Sequence, residues 1–181
     1  MPLNVAAYSQ TTDSTYPDSL DKAESRYIGS GTENDPYLIY SEEDLRNIGR
    51  AEGWSLDCHY KLMRDLTLEK PPSGQSNWSP IGIDKNNPFT GTFDGNGKTI
   101  SDMTIVNGSP GAIGLFGYIK GENARVENLG IIDVNIEMDS NYLVGAIAGV
   151  IYSGTVRNCY ATGNIFGGLV TEDWLETIPV P

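Results

Sequence analysis

A seven-residue segment of mixed polarity recurs three times in this chain, and the recurrence restricts the fold more than any other feature. Thr99–Ile105 reads TISDMTI, Arg125–Ile131 reads RVENLGI and Thr155–Ala161 reads TVRNCYA, at offsets of 26 and 30 residues. Each copy has an apolar second position, an Asp or Asn at the fourth, and Met, Leu or Cys at the fifth. Two glycine-rich apolar segments, Gly114–Ile119 and Gly145–Ile151, precede the second and third copies. Self-similarity at 20–50 residues marks a solenoid, in which each unit buries its apolar side only against its neighbours. Units made of short β-branched and aromatic runs, with turns and no helix, predict an all-β chain: a short right-handed parallel β-helix.

Stacking the copies assigns columns. Ile100, Val126 and Val156 form one core column, and Met103, Leu129 and Cys159 a second. Asp102, Asn128 and Asn158 share a third, open to two readings: a polar turn position, or a ladder of side chains bonding to the turn above. Ahead of the first copy, Phe89–Ile105 carries Asp94–Gly95–Asn96–Gly97, residues that tolerate positive φ and predict a hairpin turn between two strands.

Residues 31–170 are expected to form the β-helix domain, preceded by a flexible leader over 1–30 that is rich in Ser, Thr, Asp and Tyr. Ser41–Glu42–Glu43–Asp44 matches a capping box and predicts a helical cap at 41–52, with Leu45 and Ile48 on one face and Gly53 as the stop. That helix is expected to shield the sheet edges at the start of the stack. No matching cap follows the last copy. Either the acidic tail 171–181 shields that end, or further turns follow outside this sequence. The 21 glycines and 10 prolines among 181 residues suit so turn-dense a chain.

A net charge of −12 argues against nucleic acid and anionic membrane surfaces as partners. No apolar run reaches the roughly 20 residues of a membrane span, so membrane insertion is not expected. With His59 the only histidine and no CxxC pair, neither a metal site nor a cofactor is expected. Cys58 and Cys159 are either one disulfide or two buried free thiols, and their dissimilar contexts favour thiols. Asp94, Asp102, Glu127 and Asp133 could serve carbohydrate chemistry, but no carboxylate pair recurs at a spacing set by the repeat. Arg125 and Arg157 stack at strand positions that should face solvent. No catalytic residue is assigned. Trp78, Tyr118, Tyr152 and Tyr160 are the candidate ligand-contacting aromatics, although a Trp beside a Pro, as Trp78 is beside Pro80, is more often a structural plug between turns.

Several stretches carry a family likeness: Gly31–Thr32–Glu33–Asn34–Asp35–Pro36–Tyr37–Leu38–Ile39, Tyr60–Leu66, Trp78–Gly82, Phe89–Lys98, Gly114–Leu115–Phe116–Gly117, Val144–Gly149 and Gly154–Gly163. Together, over about Gly31–Val170, the chain resembles GLUG-motif bacterial surface β-helix proteins, which include adhesins and the N-terminal regions of immunoglobulin A-cleaving metallopeptidases. The resemblance implies an extracellular or cell-surface location and a non-enzymatic module acting as adhesin, stalk or scaffold. Its partners would be a host or cell-surface protein or a neutral glycan. The metallopeptidase motif HExxH is absent, so proteolysis does not carry over. The alternative is a carbohydrate-binding or carbohydrate-active β-helix domain with a groove along one sheet.

Overall fold

The computed structural model describes residues 28–106, 111–138 and 143–167. The leader expected over 1–30 and the tail over 171–181 lie almost wholly outside them. Twelve strands and one helix occur in the described residues. They begin with β1 (Tyr37–Ile39), α1 (Glu42–Asn47), β2 (His59–Leu62), β3 (Leu66–Thr67), β4 (Thr92–Ser101) and β5 (Thr104–Val106). Then come β6 (Ala112–Ile113), β7 (Phe116–Ile119), β8 (Arg125–Met138), β9 (Leu143–Val144), β10 (Ala148–Ile151), β11 (Thr155–Arg157) and β12 (Tyr160–Gly167). Every pairing between them is parallel. The chain is therefore a β-solenoid of about three turns, and antiparallel hairpins have no part in its sheets.

Each turn lays strand on three faces. The first carries β1, β2, the start of β4, the start of β8 and β11 in that order. The second carries β3, the later half of β4 with β5, the rest of β8, and β12. The third stacks β6 on β9 and β7 on β10, with Ile81 and Phe89 bridging to Phe116 and Ile119. Strand side chains alternate in and out, and the inward ones meet in columns. Tyr37, Tyr60, Phe93, Val126 and Val156 form one. Leu66, Ile100, Ile131 and Ala161 form another, and Ile105, Ile136 and Ile165 a third.

This register corrects the columns read from the repeat. Val156 does lie beside Val126, but Phe93 occupies the other side, and Ile100 stacks on Ile131. Met103 likewise belongs with the β5 segment, its carbonyl accepting from Asn135 N at 2.8 Å, away from Leu129. The slip has a simple cause. Each turn bends at two corners, and one pattern, apolar–x–Asx–apolar, serves either of them. It reads Val126–Glu127–Asn128–Leu129 at the first and Ile100–Ser101–Asp102–Met103 at the second, while Gly163 stands at the second corner of the last turn. Asn96, Asn128 and Asn158 turn the chain from the first face to the second, while Asp102 and Asp133 turn it within the second. These five are the only non-glycine residues with positive φ among those described, at 51° to 63°. Asn and Asp tolerate that left-handed region because their short side chains bond locally.

The same corner replaces the expected hairpin. Asp94 to Lys98 is a register shift within the single strand β4, with Asn96 and Gly97 at φ 53° and 70°. Asp102 is accordingly not a rung of the Asn128–Asn158 ladder. Asp94 takes that place: Asn128 Nδ2 donates to Asp94 Oδ1 at 3.0 Å, and Asn158 Nδ2 donates to Asn128 Oδ1 at 3.1 Å.

The capping box is present as read. Asp44 N donates to Ser41 Oγ, and Ser41 N donates to Asp44 Oδ2 at 3.0 Å. The helix is shorter than expected, ending at Asn47, because Ile48 leaves helical geometry and Gly49 adopts φ 74°. It follows β1, the outermost strand of the sheet, and Leu45 and Ile48 are both buried in the core. Arg46 spans to Asn77 O, and Arg50 donates to Ser79 O and Pro80 O, tying the helix to the segment entering the third face. Beneath it an aromatic chain runs through the core: Tyr37 on Trp54 at 4.8 Å, Trp54 on Tyr60 at 5.8 Å, and Phe93 edge-on to Phe116 at 5.7 Å.

Candidate functional site

Outward positions of the first face form a grid two side chains wide. Across the strands, His59 stands beside Thr92 and Thr92 beside Arg125, while Lys61 stands beside Asp94 and Asp94 beside Glu127. Leu38 precedes Lys61, and Thr155 and Arg157 continue the two columns on β11. Rows are separated by the strand spacing of about 4.8 Å, and the two columns by about 6.6 Å.

The grid is cross-linked. His59 Nδ1 and Thr92 Oγ1 lie 2.8 Å apart, and Arg125 Nε donates to Glu127 Oε1 at 3.1 Å. Arg157 bonds the other oxygen of Glu127, which leaves that side chain only 12% exposed. Two further pairs are looser: Lys61 Nζ to Asp94 Oδ2 at 4.0 Å, and Arg125 to Glu33 at 3.9 Å. Arg125 and Arg157 do face outward, as their strand positions required.

Glu33 comes from a turn that hangs beside this face. Ser30 N and Thr32 N both donate to Asp35 O, and Asp35 N donates back to Thr32 O. His59 N donates to Gly31 O at 2.9 Å, pinning the turn to β2. A Cβ on Gly31 would lie 2.4 Å from the Tyr37 ring, so only glycine lets the turn approach so closely. Between this turn and the grid lies a groove of about 640 Å³, reaching from Pro36 and Leu38 to Arg125 and Glu127. A second groove of about 490 Å³ lies on the second face, between the Lys70–Gln75 loop and Asp102, Asp133 and Glu137. No cluster of His, Cys, Asp and Glu able to hold a metal ion occurs among the described residues.

The four aromatics singled out in the sequence do not converge. Trp78 is buried, its Nε1 donating to Leu115 O at 3.1 Å and Arg46 lying over its ring at 5.3 Å, so it plugs the core. Tyr118 and Tyr152 stack on the third face with centroids 6.0 Å apart. Tyr160 lies on the second face against Gly130, where a Cβ would come within 2.6 Å of its ring. Both cysteines are free and half-buried. Burial pushes the Cys159 thiol up from its ordinary value, against the opposing effect of hydrogen bonds with Leu129 and Arg157.

The far end of the stack is a distinct surface. Ile119 and Ile136 are fully buried, whereas the residues paired with them one turn on, Ile151 and Ile165, are 48% and 46% exposed. Leu143, paired with buried Ala112, is also exposed. The inward columns thus continue into a last turn that lacks a neighbour among the described residues.

Residues 140–165, most of that last turn, match the model of the GLUG motif. The chain is 39% identical over 145 residues to halomucin of Haloquadratum walsbyi, covering 78% of this chain and 2% of halomucin. It is 38% identical over 135 residues to a protein of Evansella cellulosilytica described as a candidate glycine-rich membrane protein, covering 72% of this chain and 15% of that one. Among solved structures, a candidate immunoglobulin A1 protease from Bacteroides ovatus superposes with a TM-score of 0.58 at 20% identity. That match covers 78% of this chain and 41% of the other, and it shows a shared fold. The chain therefore spans a small part of the two relatives matched by sequence and less than half of the solved chain. Among the described residues, no helix is long and apolar enough to cross a membrane.

Proposed function

We propose that this chain, a β-solenoid whose residues 140–165 match the GLUG motif, is a stalk-forming scaffold segment of an extracellular protein. Its last turn, in this reading, receives a further parallel turn of the same polypeptide. The observation that carries the reading is the register at the far end. Apolar columns that are closed at Ile119 and Ile136 reach Ile151 and Ile165 without a cover, on the very turn that holds the GLUG motif. Apolar patches of this kind mark interfaces, and the interface that fits is the one already repeated through the stack.

Ladders support the same occupant. Asn158 donates to Asn128, Arg157 reaches back to Glu127, and the Tyr152 ring stacks on Tyr118. Each has its partner on one side of the stack. The incoming turn would offer an Asx corner to Asn158, a carboxylate to Arg157 and apolar residues to Ile151 and Ile165.

The experiment is an elongated chain. Gly167 pairs with Met138, so repeating residues 139–167 directly after Gly167 keeps the register. The elongated protein should melt several degrees higher and slow hydrogen exchange of the backbone amides in 148–167, which become an inner turn, while its new end presents the same open columns. Unchanged melting with unchanged amide exchange in 148–167 would overturn the reading.

A further inference from the structure

The groove on the first face is not used by stacking, and its chemistry selects a ligand class. We propose that it binds an uncharged, hydroxyl-rich chain, a neutral oligosaccharide lying along the stacking axis with about one sugar ring per turn. This proposal is independent of the scaffold reading, since the groove lies on the side of the solenoid and the open columns at its end.

Charge removes the other classes. Four carboxylates, Glu33, Asp35, Asp94 and Glu127, border the groove against two fixed cations, Lys61 and Arg125. A polyanion would meet net repulsion there and from the −12 of the whole chain. A polycation finds its best anchors occupied: Glu127 is held by two arginines, and Asp94 by Asn128. An apolar ligand would strip water from the whole grid with no hydrogen bonds in return.

Hydroxyl groups fit what remains. The Lys61–Asp94 and Arg125–Glu33 pairs, at 4.0 and 3.9 Å, are each too long for a hydrogen bond. A hydroxyl oxygen placed in either gap accepts from the cation and donates to the carboxylate, adding two bonds while leaving the charge balanced. The two gaps lie on different rows, as successive rings of one chain would require. Half-buried Pro36, Leu38 and Met63 border one end of the groove and supply contact for the C–H face of a ring. The wall is preformed by the hydrogen bonds of the Ser30–Asp35 turn, so binding has little loop ordering to offset. A groove of about 640 Å³ lies within the ordinary range of ligand sites.

The test is titration calorimetry on the full chain with cellohexaose, xylohexaose and chitohexaose, against hexagalacturonate and hexalysine. At least one neutral hexamer should bind, with an affinity little changed between low and high salt. Lys61→Ala and Glu33→Ala should each weaken it tenfold or more, while near-UV circular dichroism and melting temperature stay at their original values. Lys61→Arg should keep most of the affinity. The proposal is overturned if none of the neutral hexamers binds at millimolar concentration, if binding survives both alanine substitutions, or if either charged hexamer binds more tightly than every neutral one.

Discussion

Phe93 and Val126 are the residues on which the register of the core can be tested. Phe93 is fully buried, pairs directly with Val126 one turn on, and meets Phe116 edge-on at 5.7 Å. Phe93→Leu keeps an apolar side chain but removes the edge contact, which contributes about 0.5–1.5 kcal/mol beyond burial. With the imperfect refilling of a rigid site, the total cost should be about 1–2 kcal/mol. Val126→Ala removes two buried carbon groups at about 0.8 kcal/mol each plus a small cavity, so about 2 kcal/mol. Neighbours sharing a packing surface relax into each other's space, and the double variant should lose less than the sum, by about 0.5 kcal/mol or more. Urea unfolding followed through the fluorescence of buried Trp54 and Trp78 measures all four corners of the cycle. Leu45→Ala with Ile136→Val, on the helix and in a later turn, serves as the control and should add within about 0.5 kcal/mol. Strict additivity of Phe93→Leu with Val126→Ala would refute the 33-residue register between them.

Two other perturbations probe different features. At Gly149 a Cβ would lie 2.5 Å from Ile113 N and 2.7 Å from Leu143 O, so Gly149→Ala should lower the melting temperature sharply. Gly167→Ala, with nothing within 4 Å of its Cβ and no positive φ, should leave it unchanged, and equal effects in a thermal melt would refute the close approach of the third-face strands. Tyr60 is buried with its O–H donating to Ser55 O at 2.7 Å, and burial, first among the causes, raises its pKa above the ordinary 10.0. The folded chain then keeps a proton that the unfolded chain loses. The stabilisation is complete below pH 10 and declines above it by about 1.4 kcal/mol per pH unit. Tyr60→Phe should flatten that decline in urea titrations between pH 9 and 11, and an unaltered slope would remove Tyr60 as its source.

What could be read from the sequence followed the range of the interactions. The capping box was legible because Ser41 and Asp44 are three residues apart and the bonds between them are local. Parallel stacking was legible because the last two copies of the repeat are in true register, 30 residues apart at Arg125 and Thr155. The register of the first copy was not, because Asp102 and Asn128 sit at different corners that ask for the same residue type. The groove had a signal that this misalignment hid: His59, Thr92 and Arg125 recur at intervals of 33, and so do Lys61, Asp94 and Glu127. Gly95–Asn96–Gly97 lengthens one corner and draws the eye towards a hairpin. The placement of the aromatics was only partly legible for a related reason. Whether a strand side chain faces in or out depends on parity within the strand, and Trp78 lies outside any strand, where parity says nothing.

The parallel register also fixes how the molecule carries load. Hydrogen bonds between turns point along the stacking axis, so a pull on the two ends of the chain loads every interface in series, and the end turn, held by a neighbour on one side, opens first. That turn peels away while those behind it keep all their contacts. With turns of 30 to 33 residues, each release adds roughly 100 Å of extended chain where about 4.8 Å of stack stood before. In the stalk role proposed above, such a segment would lengthen in steps and dissipate work at each one.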